Sequence, residues 1–186
     1  RPDAYLYGKH PDVLTNTELD GLFMSDDARL VKTRRAAFIQ CVGSRDADRP
    51  YCSKVCCTHT LRNAVELKQR NPDISVCVFY RDLRAYGKRE RLYQEARALG
   101  VLFFPYTPED PPEVSGDGEG LRILFRDAVL ERRIGLQADL LILAPAVTAR
   151  ENADLARFFK VPVDADGWLL EAHQKLRPVD FASDGV

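Results

Sequence analysis

The sequence has no long apolar run, no surplus of charge and no secretion signal, and each absence removes a class of function. Its longest apolar stretch, Ala138 to Val147, is broken by Asp139 and Pro145. It falls well short of the roughly 20 residues a membrane-spanning helix needs. No signal peptide is expected. The formal net charge is −1, and no basic tail or aromatic-rich basic stripe argues for nucleic acid as a partner. A Ser/His/Asp set, a paired-carboxylate motif and a Walker loop are also missing, which leaves the common hydrolytic and nucleotide-triphosphate chemistries without their groups.

What is present is the profile of a soluble globular domain: 186 residues, 45% hydrophobic and 30% charged, enough chain to bury a core. The chain starts at Arg1 and stops at Val186 in mid-pattern, so a fragment of a longer protein is expected. Of five cysteines, four lie within seventeen residues. A secreted disulfide framework spreads its cysteines and pairs them. A tight group points instead to metal or redox chemistry, with a cytoplasmic location expected.

Residues 1–33 read as a linker or the edge of another domain. Within them Thr15 to Phe23 has the form of a short helix with Thr15 or Thr17 as its cap, and Glu18 lies three residues after Thr15 as in a capping box. From 34 to 150 the pattern alternates. Ala36–Val42 has buried-strand length, and Ser53–Arg70 is a helix stopped by Asn71-Pro72. Ile74–Tyr80 is rich in β-branched residues, Arg89–Leu99 is a helix closed by Gly100, and Val101–Phe104 is a third strand. Pro105 to Gly120, with four prolines and three glycines, is expected to be loop. A hairpin of partly exposed strands, Leu121–Asp127 and Val129–Gly135, follows, then a buried strand over Asp139–Pro145. Residues 151–186 form a return segment with a short helix near Leu155 and an Asp-Gly turn before Trp168. This order predicts an α/β, Rossmann-like, three-layer nucleotide-binding domain in which an antiparallel β-meander replaces one crossover helix.

The cysteines are spaced Cys41-x10-Cys52-x3-Cys56-Cys57. Cys41 ends the first strand, Cys52 stands at or just before the helix that follows, and Cys56 and Cys57 lie in its first turns. All four thiols can converge over a helix N-terminus, whose free N–H groups and partial positive charge favour an anion. Arg45, Arg49 and Lys54 add cations, and the same field is expected to lower the thiol pKa values. A four-thiolate iron–sulfur cubane is such an anion. Zinc is a second reading, although zinc knuckles come as separated Cys-x2–4-Cys pairs. Thiol redox chemistry or plainly buried thiols are the third. The spacing leaves all three open.

A dinucleotide domain carries Gly-x-Gly-x-x-Gly after its first strand so that the backbone can approach a pyrophosphate. Here only Gly43 is present, and the cysteines occupy that position. Arg81, Arg84, Lys88 and Arg89 follow the second strand where a 2′-phosphate would be held. They are read first as a solvated or partner-docking basic loop, with nucleotide binding as the alternative.

The segments Phe38-Ile-Gln-Cys-Val-Gly-Ser-Arg, Tyr51-Cys-Ser-Lys-Val-Cys-Cys and Tyr80-Arg-Asp-Leu-Arg-Ala-Tyr-Gly resemble the HdrA-type subunits of heterodisulfide reductase and their bacterial relatives. Tyr7–Val13 and Lys175–Val186 also look like that family, so the resemblance covers nearly the whole chain. It implies a thioredoxin-reductase-like flavoprotein of the pyridine nucleotide-disulfide oxidoreductase type. It further implies an atypical [4Fe–4S] cluster on Cys41, Cys52, Cys56 and Cys57, with FAD in the full-length protein. On that resemblance residues 1–33 and 151–186 are edges of a flavin domain. The expected partners are the rest of its own chain and other subunits of a redox complex, with a homodimer left open. Without the glycine loop the fragment is not expected to bind FAD well, or to be active alone.

The remaining conspicuous residues take plainer readings. Cys77, between two valines on a strand, is a core thiol. His59 stands beside the cysteines in a supporting or surface role. Trp168 is packing. Asp46, Asp48 and the acidic stretch Glu109–Glu119 are solvated loops.

Overall fold

A computed structural model describes residues 4–117 and 120–183. Arg1 to Asp3 of the expected linker, Gly118 and Glu119 of the acidic stretch, and Asp184-Gly185-Val186 of the last family segment lie outside the described residues. The chain divides into two units, at Ala146 and Val147.

In the first unit the elements run β1 (Val13–Thr15), α1 (Asn16–Met24), α2 (Ala28–Lys32), β2 (Arg35–Val42), α3 (Cys56–Arg70) and β3 (Ser75–Tyr80). A 3-10 turn at Gly87–Arg89 leads into α4 (Glu90–Ala98) and β4 (Leu102–Pro105). They continue with β5 (Glu113–Asp117), β6 (Gly120–Asp127), β7 (Arg132–Ala138) and β8 (Leu140–Pro145). Five strands form one sheet in the order β1-β8-β2-β3-β4, paired in parallel throughout. The antiparallel sheet β5-β6-β7 is the meander.

The strand sequences explain the layering. Parallel strands are covered on both faces and so read as near-continuous apolar runs, and Ala36 to Ile39 and Leu140 to Ala144 are buried without interruption. Successive side chains point to opposite faces. Phe38, Val78 and Ile142 meet Leu61, Ala64 and Leu67 of α3 and Leu19 of α1 on one face. Ala37, Ile39, Phe79, Leu141 and Leu143 meet Leu121, Ile123 and Phe125 of the meander on the other. This is the Rossmann-like, three-layer arrangement of the pyridine nucleotide-disulfide oxidoreductase type, as expected. The capping box is also present: Glu18 N–H donates to Thr15 Oγ1, and Thr15 N–H donates to Glu18 Oε2 at 2.8 Å.

Two expectations need correction. The proline-rich stretch is not all loop, since Glu113–Asp117 is the third strand of the meander. Its prolines precede the strand, and pairing with β6 overrides the loop composition. Helix α3 begins at Cys56 rather than Ser53, and Val55 sits at its cap, about half exposed, outside the apolar stripe.

The second unit holds α5 (Ala153–Phe158) and a tight turn in which Asp164 Oδ1 accepts the N–H groups of Asp166 and Trp168.

Asp139, between β7 and β8, ties the amino ends of the central strands. Its Oδ2 accepts the N–H groups of Arg34 and Arg35 at 2.8 and 2.9 Å, and Arg35 Nη2 reaches Oδ1 at 2.7 Å. Burial pushes this carboxyl up, but the bonds from the Arg35 side chain and the two N–H groups outweigh it and hold it below the ordinary carboxylate value. A depressed pKa stabilises the fold above the unfolded value of about 3.9 and loses that contribution as pH falls through the folded value. Asp139→Ala is therefore expected to cost about 1–2 kcal/mol at neutral pH, allowing for the part-exposed guanidinium. Urea unfolding should show the wild type and variant converging below about pH 4; a pH-independent gap would contradict this account.

Candidate functional site

The site is built at the carboxyl end of β2. Pairing of β2 with β8 shifts register between Ile39 and Val42, a bulge that inserts one extra residue and re-aims the side chains around it. Cys41 sits in that bulge with φ 59°. Gly43 (φ 65°) turns the chain out of the strand, and Arg45 and Lys54 also take left-handed backbone, with φ 58° and 61°. Left-handed backbone costs a non-glycine residue roughly 1 kcal/mol or more. Such residues gather at functional sites where neighbours hold them in place.

The loop from Ser44 to Val55 returns to the start of α3 and brings the four predicted thiols together. Cys41, Cys52, Cys56 and Cys57 line one small pocket with Ser44, Arg45, Ser53, Lys54, Asp82 and Arg84. None of the four is in a disulfide. Among the described residues, no three His, Cys, Asp or Glu side chains converge closely enough to hold a single metal ion. The thiols line the walls of a pocket rather than meeting at one ligation point.

The surroundings are rich in donors. No side chain caps the amino end of α3, so the helix dipole faces the thiols uncovered. Lys54 N–H donates to Cys52 Sγ at 3.4 Å. Arg45 and Arg84 stand on the pocket wall with Cys41 and Cys57, and Arg45 opposes the rise that burial imposes on the Cys41 thiol. Arg45 Nη1 and Arg81 Nε are buried without an acceptor. Buried donors left in this state normally have a partner. A donor-lined pocket walled by four thiols fits an anionic group held by thiolates.

Cys41, Cys56 and Cys57 are not acidified, which corrects the sequence-based expectation for these three. Burial, outweighing Arg45, raises Cys41; burial also raises Cys56, and it pushes Cys57 up to about 11. The Cys56 and Cys57 thiols point at the carbonyls of Pro145 and Asp82, at 3.7 Å each. Desolvation outweighs the helix field here. Ligation would have to displace the protons, which couples binding to pH.

Arg81 and Arg84 are both engaged with groups of this chain. Arg81 Nη1 donates to the carbonyls of Arg45 at 2.9 Å and Ser44 at 3.4 Å, so it clamps the cysteine loop. Arg84 pairs with Asp82 at 3.3 Å on the pocket wall. Arg89 lies over the Tyr86 ring, and Lys88 is exposed on the 3-10 turn; neither lines the pocket. Arg49 holds its own loop by donating its N–H to Asp46. Asp46 thus has a structural bond, whereas Asp48 stays exposed. His59 bonds Asp20 of α1 at 2.7 Å, and Cys77 is partly buried against the core that faces the meander, with desolvation pushing its thiol up to about 12. Asp82 is the residue that sequence reasoning missed. Its position two residues past β3, between two arginines, is the signal that could have found it.

The fold and the phosphate-loop position define a Rossmann-like domain of the pyridine nucleotide-disulfide oxidoreductase type with cysteines in place of glycines. Solved structures agree on the fold. L-lysine 6-monooxygenase from Pseudomonas syringae superposes with TM-score 0.53 at 13% identity, over 92% of this chain and 49% of that one. Thioredoxin reductase from T. acidophilum gives 0.52 at 12%, over 95% and 48%.

Sequence relatives narrow the class. The chain is 35% identical to the A subunit of the H(2):CoB-CoM heterodisulfide,ferredoxin reductase of Methanothermobacter marburgensis, over 98% of its own length and 29% of the relative's. It is 34% identical to the second iron-sulfur A subunit of the CoB--CoM heterodisulfide reductase of Methanopyrus kandleri, over 99% and 30%. No family model matches. By sequence the chain is homologous to a segment of the A subunit of heterodisulfide reductase, as its motifs suggested, and it spans about three tenths of the relatives' length.

The Arg81 clamp has a local consequence. Arg81→Gln should loosen residues 43–55 while leaving the sheet intact. Losing two charge-assisted bonds of about 1.5–3 kcal/mol corresponds to hydrogen exchange at least about tenfold faster in that loop. Unchanged exchange there would remove the clamp from the argument.

Proposed function

We propose that this chain is the cluster-bearing domain of a flavin-based oxidoreductase subunit of the heterodisulfide reductase type. Its four thiolates, Cys41, Cys52, Cys56 and Cys57, hold a [4Fe–4S] cluster. The single observation that supports this most is the meeting of all four thiols in one donor-lined pocket at the uncapped start of α3. A zinc ion needs its sulfurs all about 2.3 Å from one point. A cubane gives each thiolate its own iron, which suits ligands spread around pocket walls. The words "iron-sulfur" in the name of a 34%-identical relative point the same way.

The group supplies one-electron storage when bound. The chain's own residues do the rest. Gly43 and the left-handed Cys41 turn the first ligand out of the strand, Arg81 holds the loop, and Lys54 aims its backbone N–H at the Cys52 sulfur. Residues 1–33 and 151–186 would border a flavin domain elsewhere in the full-length protein, with FAD as the electron partner and other subunits of the complex beyond it.

The second reading, a nicotinamide-binding domain, is kept by the fold itself. Anaerobic incubation with iron and sulfide separates the two. Uptake of about four iron and four sulfide per chain, with broad absorbance near about 400 nm, is expected. Cys56→Ser and Cys57→Ser should each lower that uptake severalfold. Tight binding of a reduced nicotinamide nucleotide with no iron uptake would overturn the proposal in favour of the second reading.

A further inference from the structure

Arg45 is placed oddly for a surface arginine. It is among the non-glycine residues of this loop with a left-handed backbone, at φ 58°. Its side chain is only 19% exposed. It stands at the pocket wall beside Cys41, with Nη2 2.7 Å from Asp82 Oδ2 and Nη1 buried without an acceptor. Asp82 is about half exposed and also pairs with Arg84 at 3.3 Å. The guanidinium is thus shared between a thiol ligand and a carboxylate, with one donor in reserve. Arg81 fixes this loop by donating to the carbonyl of Arg45 itself.

We infer that Arg45 and Asp82 form a charge pair that sets the reduction potential of the cluster pocket, Arg45 favouring the reduced state and Asp82 opposing it. The inference rests on the cluster reading above. One-electron reduction adds one negative charge to a four-thiolate cubane and breaks no bond. A guanidinium next to the first ligand interacts more favourably with the extra charge, and in a pocket of low effective dielectric that difference is not screened away. The Nη1 donor without an acceptor gives the added charge a group to meet. Asp82 draws the same guanidinium outward and adds a negative charge of its own. Asp82 is a half-exposed carboxylate paired with two arginines, so it carries that charge at neutral pH. Both are positioning residues that act through Cys41 rather than ligands.

The test uses wild type, Arg45→Asn and Asp82→Asn, each reconstituted anaerobically and titrated with dithionite and redox mediators while the reduced cluster is followed by electron paramagnetic resonance. Asparagine at position 45 removes the cation but tolerates the left-handed backbone better than most residues, so the loop keeps its shape. At a fixed potential, Arg45→Asn is expected to lower the reduced-to-oxidised ratio about tenfold, about 59 mV for one electron. Asp82→Asn is expected to raise the ratio severalfold. Opposite signs are the signature, because loosening of the loop alone would move both variants the same way. Equal ratios in all three proteins, or shifts of one sign, would overturn the inference while leaving the cluster assignment standing. If the wild type takes up no iron, the cluster reading itself fails. If Arg45→Asn does not load, the direction of the Asp82→Asn shift still decides: a rise supports the pair and a fall or no change refutes it.

Discussion

Parallel pairing of β2 with both β3 and β8 is the constraint on which the site depends. It leaves three strand ends side by side at one edge of the sheet: Val42, Tyr80 and Pro145. The strand order turns there as well, since the chain moves from β2 to β3 on one side and later comes back to β8 on the other. Ligands in open parallel sheets bind outside the carboxyl ends at such a reversal. The cysteine pocket therefore occupies the crevice this topology makes. Its thiols touch all three strand exits, through Cys41 itself, the carbonyl of Pro145 and the carbonyl of Asp82. Asp139 performs the complementary task at the other end of the strands, locking the amino ends so that the carboxyl ends stay in register.

The bulge at Cys41 follows from the same constraint. A regular strand would alternate Gln40, Cys41 and Val42 between the two buried faces. Inserting one extra residue lets Val42 stay in the core facing the meander while the thiol leaves the sheet. The left-handed residues at 41, 45 and 54 are strained, and the contacts that offset the strain are local and polar: the Arg81 clamp, the Arg45–Asp82 pair and the turn at Asp46. The loop's stability and its chemistry thus draw on the same arginines.

Much of this is legible in the sequence. Apolar runs such as Ala36–Ile39 and Leu140–Ala144 announce buried parallel strands, and the Thr15–Glu18 box announces a helix start, with Thr15 rather than Thr17 as its cap. Spacing alone singles out the four cysteines, and they do share one pocket. Three features are hidden for physical reasons. The strand Glu113–Asp117 is a strand only because β6 pairs with it; its proline- and glycine-rich neighbourhood carries no periodic signal. The role of Arg81 depends on a contact with a loop 36 residues away, which charge patterning cannot reveal. The thiol pKa shifts reverse sign because sequence offers the helix dipole and nearby arginines but not the depth of burial.

That reversal bears on how such a pocket works. Desolvation and the contacts with carbonyl oxygens favour the protonated form of Cys56 and Cys57. A pocket whose thiols were acidified by cations alone would bind indiscriminately any soft cation that met it. Here the protons must leave and the S–H bonds to Pro145 and Asp82 must be given up, so only a ligand that returns several strong bonds at once is favoured. On the cluster reading proposed above, four separate thiolates would return such bonds, whereas the thiols do not converge on one point for a single ion. On that reading, burial that opposes the thiolate would favour the larger anion.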